Sequence, residues 1–128
     1  MKRNVLIIDD ENYIRLLLHR TLEDFEFAGV EVRIAADGQA GLDAVHERRP
    51  DLIFLDLMMP NVDGYEVCTT LKGDAQFTEI PIVILTAKGQ LPDFPDGAAP
   101  DFCLTKPFDP DQIVELAQSL LGIDVDID

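Results

Sequence analysis

The chain has 128 residues, of which 25 are Asp or Glu and 10 are Lys or Arg, for a formal net charge of −15. That surplus argues against a direct nucleic-acid or anionic-membrane surface, and an apolar content of 47% rules out a disordered chain. The two cysteines, Cys68 and Cys103, make no disulfide framework and fit a reducing compartment.

In chain order, Lys2 and Arg3 precede only Val5–Ile8 before Asp9. This run is too short for a signal peptide and reads as a buried strand, ended by Asp9, Asp10 and Glu11. Ile14, Leu17, Leu18, Leu22 and Phe25 follow at helical spacing, which predicts one amphipathic helix over about residues 12 to 26, closed by Gly29. Val30 to Ala35 reads as a strand with Val30, Val32 and Ile34 on one face. Asp37-Gly38 opens a short helix with Leu42 and Val45 inward, ending near Arg49-Pro50. Leu52-Ile-Phe-Leu55 is a continuous apolar run, as a strand buried on both faces requires, and it meets a carboxylate at Asp56. Pro60, Asp63 and Gly64 are turn and helix-start residues. Gly64 to Lys72 reads as a helix, and Ile82 to Leu85 as a fourth buried strand ending at Thr86 and Ala87.

Residues 88 to 100 contain Gly89, Pro92, Pro95, Gly97 and Pro100. A proline inside a helix costs about 3 kcal/mol, so this segment is expected to be irregular, or at most one helical turn. Leu91, Phe94 and Phe102 are then either buried by the folded-back loop or left as a patch for a partner. Phe102 to Thr105 is a fifth strand ended by Lys106-Pro107. Asp109, Pro110 and Gln112 form a capping box before a last helix with Ile113, Leu116, Ala117, Leu120 and Leu121 inward. Gly122 stops it, and residues 123–128 form an acidic tail.

Strands alternating with helices predict an α/β fold: a five-stranded parallel sheet, doubly wound and flavodoxin-like, with its fourth helix missing or degenerate. A parallel sheet brings Asp9-Asp10, Asp56, Thr86 and Lys106 to one edge. Clustered carboxylates resist ionising, and a divalent cation and the lysine ammonium relieve the repulsion. Oxygen ligands suit Mg²⁺. Carboxylate, hydroxyl, lysine and Mg²⁺ together make an apparatus for moving a phosphoryl group, with a carboxylate as nucleophile. Read singly, the acidic pair also fits a turn, Lys106 a surface lysine and Thr86 a helix cap. His19 and His46 lack metal-ligand spacing and are expected to face solvent.

The motifs Ile7-Ile8-Asp9-Asp10-Glu11, Leu55-Asp56-Leu57-Met58-Met59-Pro60 with Asp63-Gly64, Leu85-Thr86-Ala87 and Lys106-Pro107-Phe108 resemble the two-component response regulator receiver domains, over roughly residues 3 to 122. The resemblance implies that Asp56 accepts phosphate from the phosphohistidine of a histidine kinase or phosphotransfer protein. It implies that Asp10, Asp56 and the Met58 carbonyl ligate Mg²⁺, with Asp9 acting through water. Thr86 and Lys106 are implied to contact the phosphoryl oxygens, and the Lys106-Pro107 bond to be cis. Thr86, Ala87, Phe94, Phe102 and Cys103 become the switch and output positions. Two departures stand out. The segment 88–100 replaces a usual helix, and Cys103 stands where the family usually has an aromatic residue.

The implied function is a stand-alone, cytoplasmic, phosphorylation-switched signalling domain rather than an enzyme, acting on a downstream protein partner. The alternatives are a scaffold not switched by phosphate and an intermediate in a phosphorelay. A phosphatase of the haloacid dehalogenase type is disfavoured, because the position two residues after Asp56 is Met58 and not a second Asp.

Overall fold

A computed structural model describes residues 2–87 and 93–124. The elements are β1 (Arg3–Ile8), α1 (Asn12–Thr21), α2 (Glu23–Phe27), β2 (Val30–Ala35), α3 (Gly38–Glu47), β3 (Leu52–Asp56), α4 (Gly64–Lys72), β4 (Ile82–Ala87), β5 (Phe102–Lys106) and α5 (Pro110–Leu121). The strands form one sheet in the order β2-β1-β3-β4-β5. All four pairings are parallel. This is the flavodoxin-like doubly wound order, whose direction reverses between β1 and β3.

Alternation along the strands divides the core in two. Val5, Ile7, Leu52, Phe54, Val83 and Leu85 pack on one face with residues of α1, α2 and α5. Leu6, Ile8, Ile53, Leu55, Ile82 and Ile84 pack on the other with residues of α3 and α4. A strand covered on both faces has no polar side, which is why β1, β3 and β4 read as unbroken apolar runs. Burial of each such Leu, Ile or Phe contributes about 1.5–3 kcal/mol. The capping box at α5 is present: Asp109 accepts from the Asp111 N–H at 2.9 Å, and the Gln112 side chain accepts from the Asp109 N–H at 3.4 Å.

Two expectations need correction. The helix expected over 12–26 is two helices, broken at Leu22 (φ −96°, ψ 6°). The Thr21 hydroxyl donates to the Leu17 carbonyl at 2.7 Å, a back-bond that bends helices, and the next bond tightens to Phe25 N–H on Leu22 O. Ile34 was expected inward with Val30 and Val32, but it is 54% exposed. It lies near the end of an edge strand, and Phe25 of α2 packs with Val30 and Val32 instead.

Residues 88–92, with Leu91 and Pro92, lie outside the described residues, as do tail residues 125–128. Residues 93–101 contain no helix, only a turn closed by the Ala98 N–H on the Pro95 carbonyl at 3.0 Å. This stretch is pinned to α4 and β4. Phe94 stacks against Tyr65 with ring centroids 4.9 Å apart. The Cys68 thiol donates to the Ala98 carbonyl at 3.2 Å. The Asp101 carboxylate accepts from the Ile82 N–H at 2.8 Å and from Lys72 Nζ at 3.1 Å. Phe94 of this segment is therefore half-buried against the core, while Phe102 stays 45% exposed on β5. Among the described residues no helix is long and apolar enough to cross a membrane.

Candidate phosphoacceptor site

Ile8 lies opposite Leu55 in the β1–β3 register, so Asp9 and Asp56 emerge side by side at the carboxyl edge of the sheet, where the strand order reverses. That crevice is where ligands bind in open parallel sheets. Leu85 lies opposite Asp56, and Thr86 is paired with Thr105, the residue before Lys106. The register alone carries four polar strand ends to one place.

Lys106 Nζ sits at the centre. It is 3.2 Å from Asp9 Oδ2, 3.2 Å from Asp56 Oδ1 and 3.4 Å from Glu11 Oε1. Asp9 is fully buried, and its Oδ1 accepts from the Glu11 N–H at 2.9 Å. Arg15 Nη1 donates to the Asp9 backbone carbonyl at 2.8 Å, steadying the turn into α1. Asp10 is exposed. Asp56 retains 5% of its surface. Thr86 is buried, and its hydroxyl donates to the Leu104 carbonyl of β5 at 3.5 Å. Met58 is exposed just beyond Asp56, whereas Met59 is buried in the core. The Lys106-Pro107 peptide bond is cis.

Among the positions expected to form the output face, Ala87 ends β4 and is exposed, as are Phe102 and Cys103 on β5. Cys103 lies on an edge strand, open to solvent. Cys68 is fully buried, and burial pushes its thiol up to about 11. His46 is exposed with its ring edge-on to Phe77, and His19 lies 3.5 Å from Glu26. The residue to which the motif assigns no role is Glu11. It ends the first apolar run, yet it reaches Lys106. The available signal was its position two residues after Asp9, at the N-cap of α1.

Electrostatics follow from this crowding. Burial, and then the neighbouring Asp9 charge, push the Asp56 carboxyl up to about 7 despite the Lys106 ammonium. Burial likewise raises Asp9. Burial would lower Lys106, but Asp9 and Asp56 outweigh it and hold its pKa above the ordinary value. One lysine does not neutralise the cluster. Carboxylate oxygens of Asp9, Asp10, Glu11 and Asp56 lie within 4.8 Å of one another. An all-oxygen donor set short of positive charge, with the Asp10 and Glu11 carboxylates exposed, fits Mg²⁺.

A pH dependence follows. The folded Asp56 binds its proton more tightly than the unfolded chain does, so its contribution to stability is greatest at low pH. That contribution is lost as pH rises from about 4 to about 7, and it is constant above. The metal-free protein is expected to lose melting temperature between pH 5 and pH 8, and Asp56→Asn to flatten that slope. A wild-type slope no steeper than the variant's would show that burial does not penalise this carboxylate.

The family model for the response regulator receiver domain matches residues 5–118. The DNA-binding dual master transcriptional regulator RpaA of Synechocystis sp. is 43% identical over 121 residues, spanning 91% of this chain and 48% of that protein. The chain thus spans about half the length of the curated relatives it matches. Chemotaxis protein CheY4 of Vibrio cholerae superposes with a TM-score of 0.79 at 30% identity, covering 94% of this chain and 99% of that one. A CheY-like response regulator receiver domain protein of Methanospirillum hungatei gives 0.80 at 28% identity, covering 95% and 96%. With its sheet order and a match over nearly its whole length, this chain belongs to the response regulator receiver domain family.

Proposed function

We propose that this domain is a phosphorylation-switched signalling module in which Asp56 takes a phosphoryl group from the phosphohistidine of a histidine kinase or phosphotransfer protein. The observation that carries this reading is Asp56 itself: a nearly buried carboxylate at the switch point of the sheet, 3.2 Å from Lys106 and inside an acidic cluster. An Asp56 oxygen attacks phosphorus, the phosphorus–nitrogen bond breaks, and its electron pair stays on the donor imidazole, which takes up a proton. The product is an acyl phosphate, and water returns it to Asp56 and inorganic phosphate. Asp10, Asp56 and the Met58 carbonyl would hold Mg²⁺, with Asp9 behind them through water. When bound, Mg²⁺ neutralises charge on the phosphoryl oxygens. Lys106 pairs with a phosphoryl oxygen and Thr86 donates to another, giving up its bond to Leu104. The phosphorylated state is then read by a downstream protein, and the domain works in the cytoplasm.

The test is incubation with acetyl phosphate and Mg²⁺ followed by intact mass. One added phosphoryl group, dependent on Mg²⁺ and removed by hydroxylamine, is the expected result. No adduct at any donor concentration would overturn the reading.

The pins from Cys68, Lys72 and Tyr65 onto residues 93–101 favour a second reading, in which this segment is a static cover and the domain only passes phosphate on. Amide hydrogen exchange with and without beryllofluoride separates the two. A switch changes protection in residues 93–101. A relay intermediate changes it only in the loop after Asp56.

A further inference from the structure

The loop after Asp56 carries the Met58 carbonyl, and among the described residues its backbone bonds lie at its two ends. The Leu57 N–H donates to the Leu85 carbonyl at 3.0 Å, and the Leu57 carbonyl accepts from the Gly64 N–H at 2.8 Å. Asp63 caps α4 by accepting from the Glu66 N–H at 2.9 Å. Between these ends Asn61 takes a left-handed conformation (φ 66°). The middle of the loop leans on another element, the first residue of α3. A Cβ placed on Gly38 would overlap the Val62 carbonyl oxygen and come within 2.8 Å of Val62 Cγ1 and 2.9 Å of the Val62 carbonyl carbon. Backbone therefore rests on backbone, and only glycine permits the approach. A hollow of about 110 Å³ beside this contact is lined by Asp37, Gly38, Gln39, Pro60, Asn61 and Val62. A displaced loop has room to move there without unprising the core.

We propose that Gly38 is a positioning residue for the metal-binding loop: by letting Val62 seat on the N-terminus of α3, it sets the path along which the Met58 carbonyl is offered to the ion. Gly38 touches neither metal nor phosphate. The inference rests on the reading of Asp10, Asp56 and Met58 as Mg²⁺ ligands. It adds a contact made by a residue 18 positions before Asp56, on an element outside the motifs that define the site.

Gly41, three residues further along α3, supplies the control. A Cβ there would meet Ile8 Cδ1 at 2.6 Å and Ile8 Cγ1 at 2.9 Å, in a flexible side chain of the core and away from the loop. Gly38→Ala and Gly41→Ala therefore crowd the same helix against different neighbours. Mg²⁺ affinity by calorimetric titration and metal-free melting temperature should be measured for both, beside wild type and Asp10→Asn. Gly38→Ala is expected to weaken Mg²⁺ binding on the order of tenfold, the usual effect of losing an outer support of a metal ligand. Gly41→Ala is expected to lower the melting temperature and keep the wild-type affinity. Equal Mg²⁺ affinity in Gly38→Ala and wild type overturns the inference. Should Gly38→Ala fail to fold in plain buffer, it and wild type are titrated in trimethylamine N-oxide, which favours the compact state; weaker Mg²⁺ binding in the variant supports the inference, and equal binding overturns it. A wild-type protein that binds Mg²⁺ no better than Asp10→Asn overturns the metal reading itself and this inference with it.

Discussion

Asp56→Asn is expected to abolish labelling by acetyl phosphate while leaving the metal-free fold at least as stable as wild type at pH 8. Both halves follow from the same burial. Asp9 and Asp56 each face Lys106, but Asp9 has no exposed surface and its second oxygen is held by the Glu11 N–H. Asp10 is open to solvent. Asp56 lies between these extremes, reachable from outside yet held against an ammonium. An amide oxygen is a far weaker nucleophile than a carboxylate, so the substitution removes the chemistry outright. It also removes a carboxylate that burial disfavours in its charged form, which relieves repulsion on Asp9. Loss of labelling with a collapsed melting temperature would not satisfy this expectation, and undiminished labelling would sink the assignment of Asp56.

The fold was legible in the sequence because each buried strand is an uninterrupted apolar run that ends at a polar residue. Leu52–Leu55 before Asp56 is the clearest instance, and once the strands are parallel their ends must share an edge. The acidic cluster and Lys106 were legible for the same reason. What was not legible depends on contacts between residues distant in sequence, or on which strand becomes an edge. Ile34 carries the same local pattern as Val32, and only the place of β2 at the sheet margin exposes it. The break at Leu22 falls beside a threonine hydroxyl bonded to a carbonyl one turn back, although the apolar spacing runs straight through it. The prolines of residues 93–100 foretold the absence of a helix but not the anchoring. That anchoring needs Cys68, Tyr65 and Lys72, whose roles there are set by where α4 lies. Glu11 and Gly38 belong to the same class. One reaches Lys106 across 95 residues, and the other touches a loop whose position the sequence does not state.

Lys106→Met should produce the largest loss of metal-free stability of any substitution at this edge, on the order of 3–5 kcal/mol at pH 8. Methionine fills similar volume, so little of the loss comes from a cavity. The cost comes from what remains: Asp9 and Asp56, both buried, lose the ammonium 3.2 Å from each. Both carboxyls already sit above their ordinary range with Lys106 present, and they rise further without it. A folded pKa above the unfolded one means stability that is present at low pH and lost as pH rises through the folded value. The variant should therefore approach wild type near pH 5, where Asp56 carries its proton, and fall away from it towards pH 8. Glu11 is half-exposed and adds little to the difference, since solvent screens it. A divalent cation replaces the missing positive charge, so saturating Mg²⁺ should raise the melting temperature of Lys106→Met more than that of wild type. Urea unfolding at pH 5 and pH 8, each with and without Mg²⁺, measures all four corners. If the variant tracks wild type at pH 8 without metal, Lys106 does not balance these carboxylates in the resting protein. Its contribution would then be confined to the phosphorylated state.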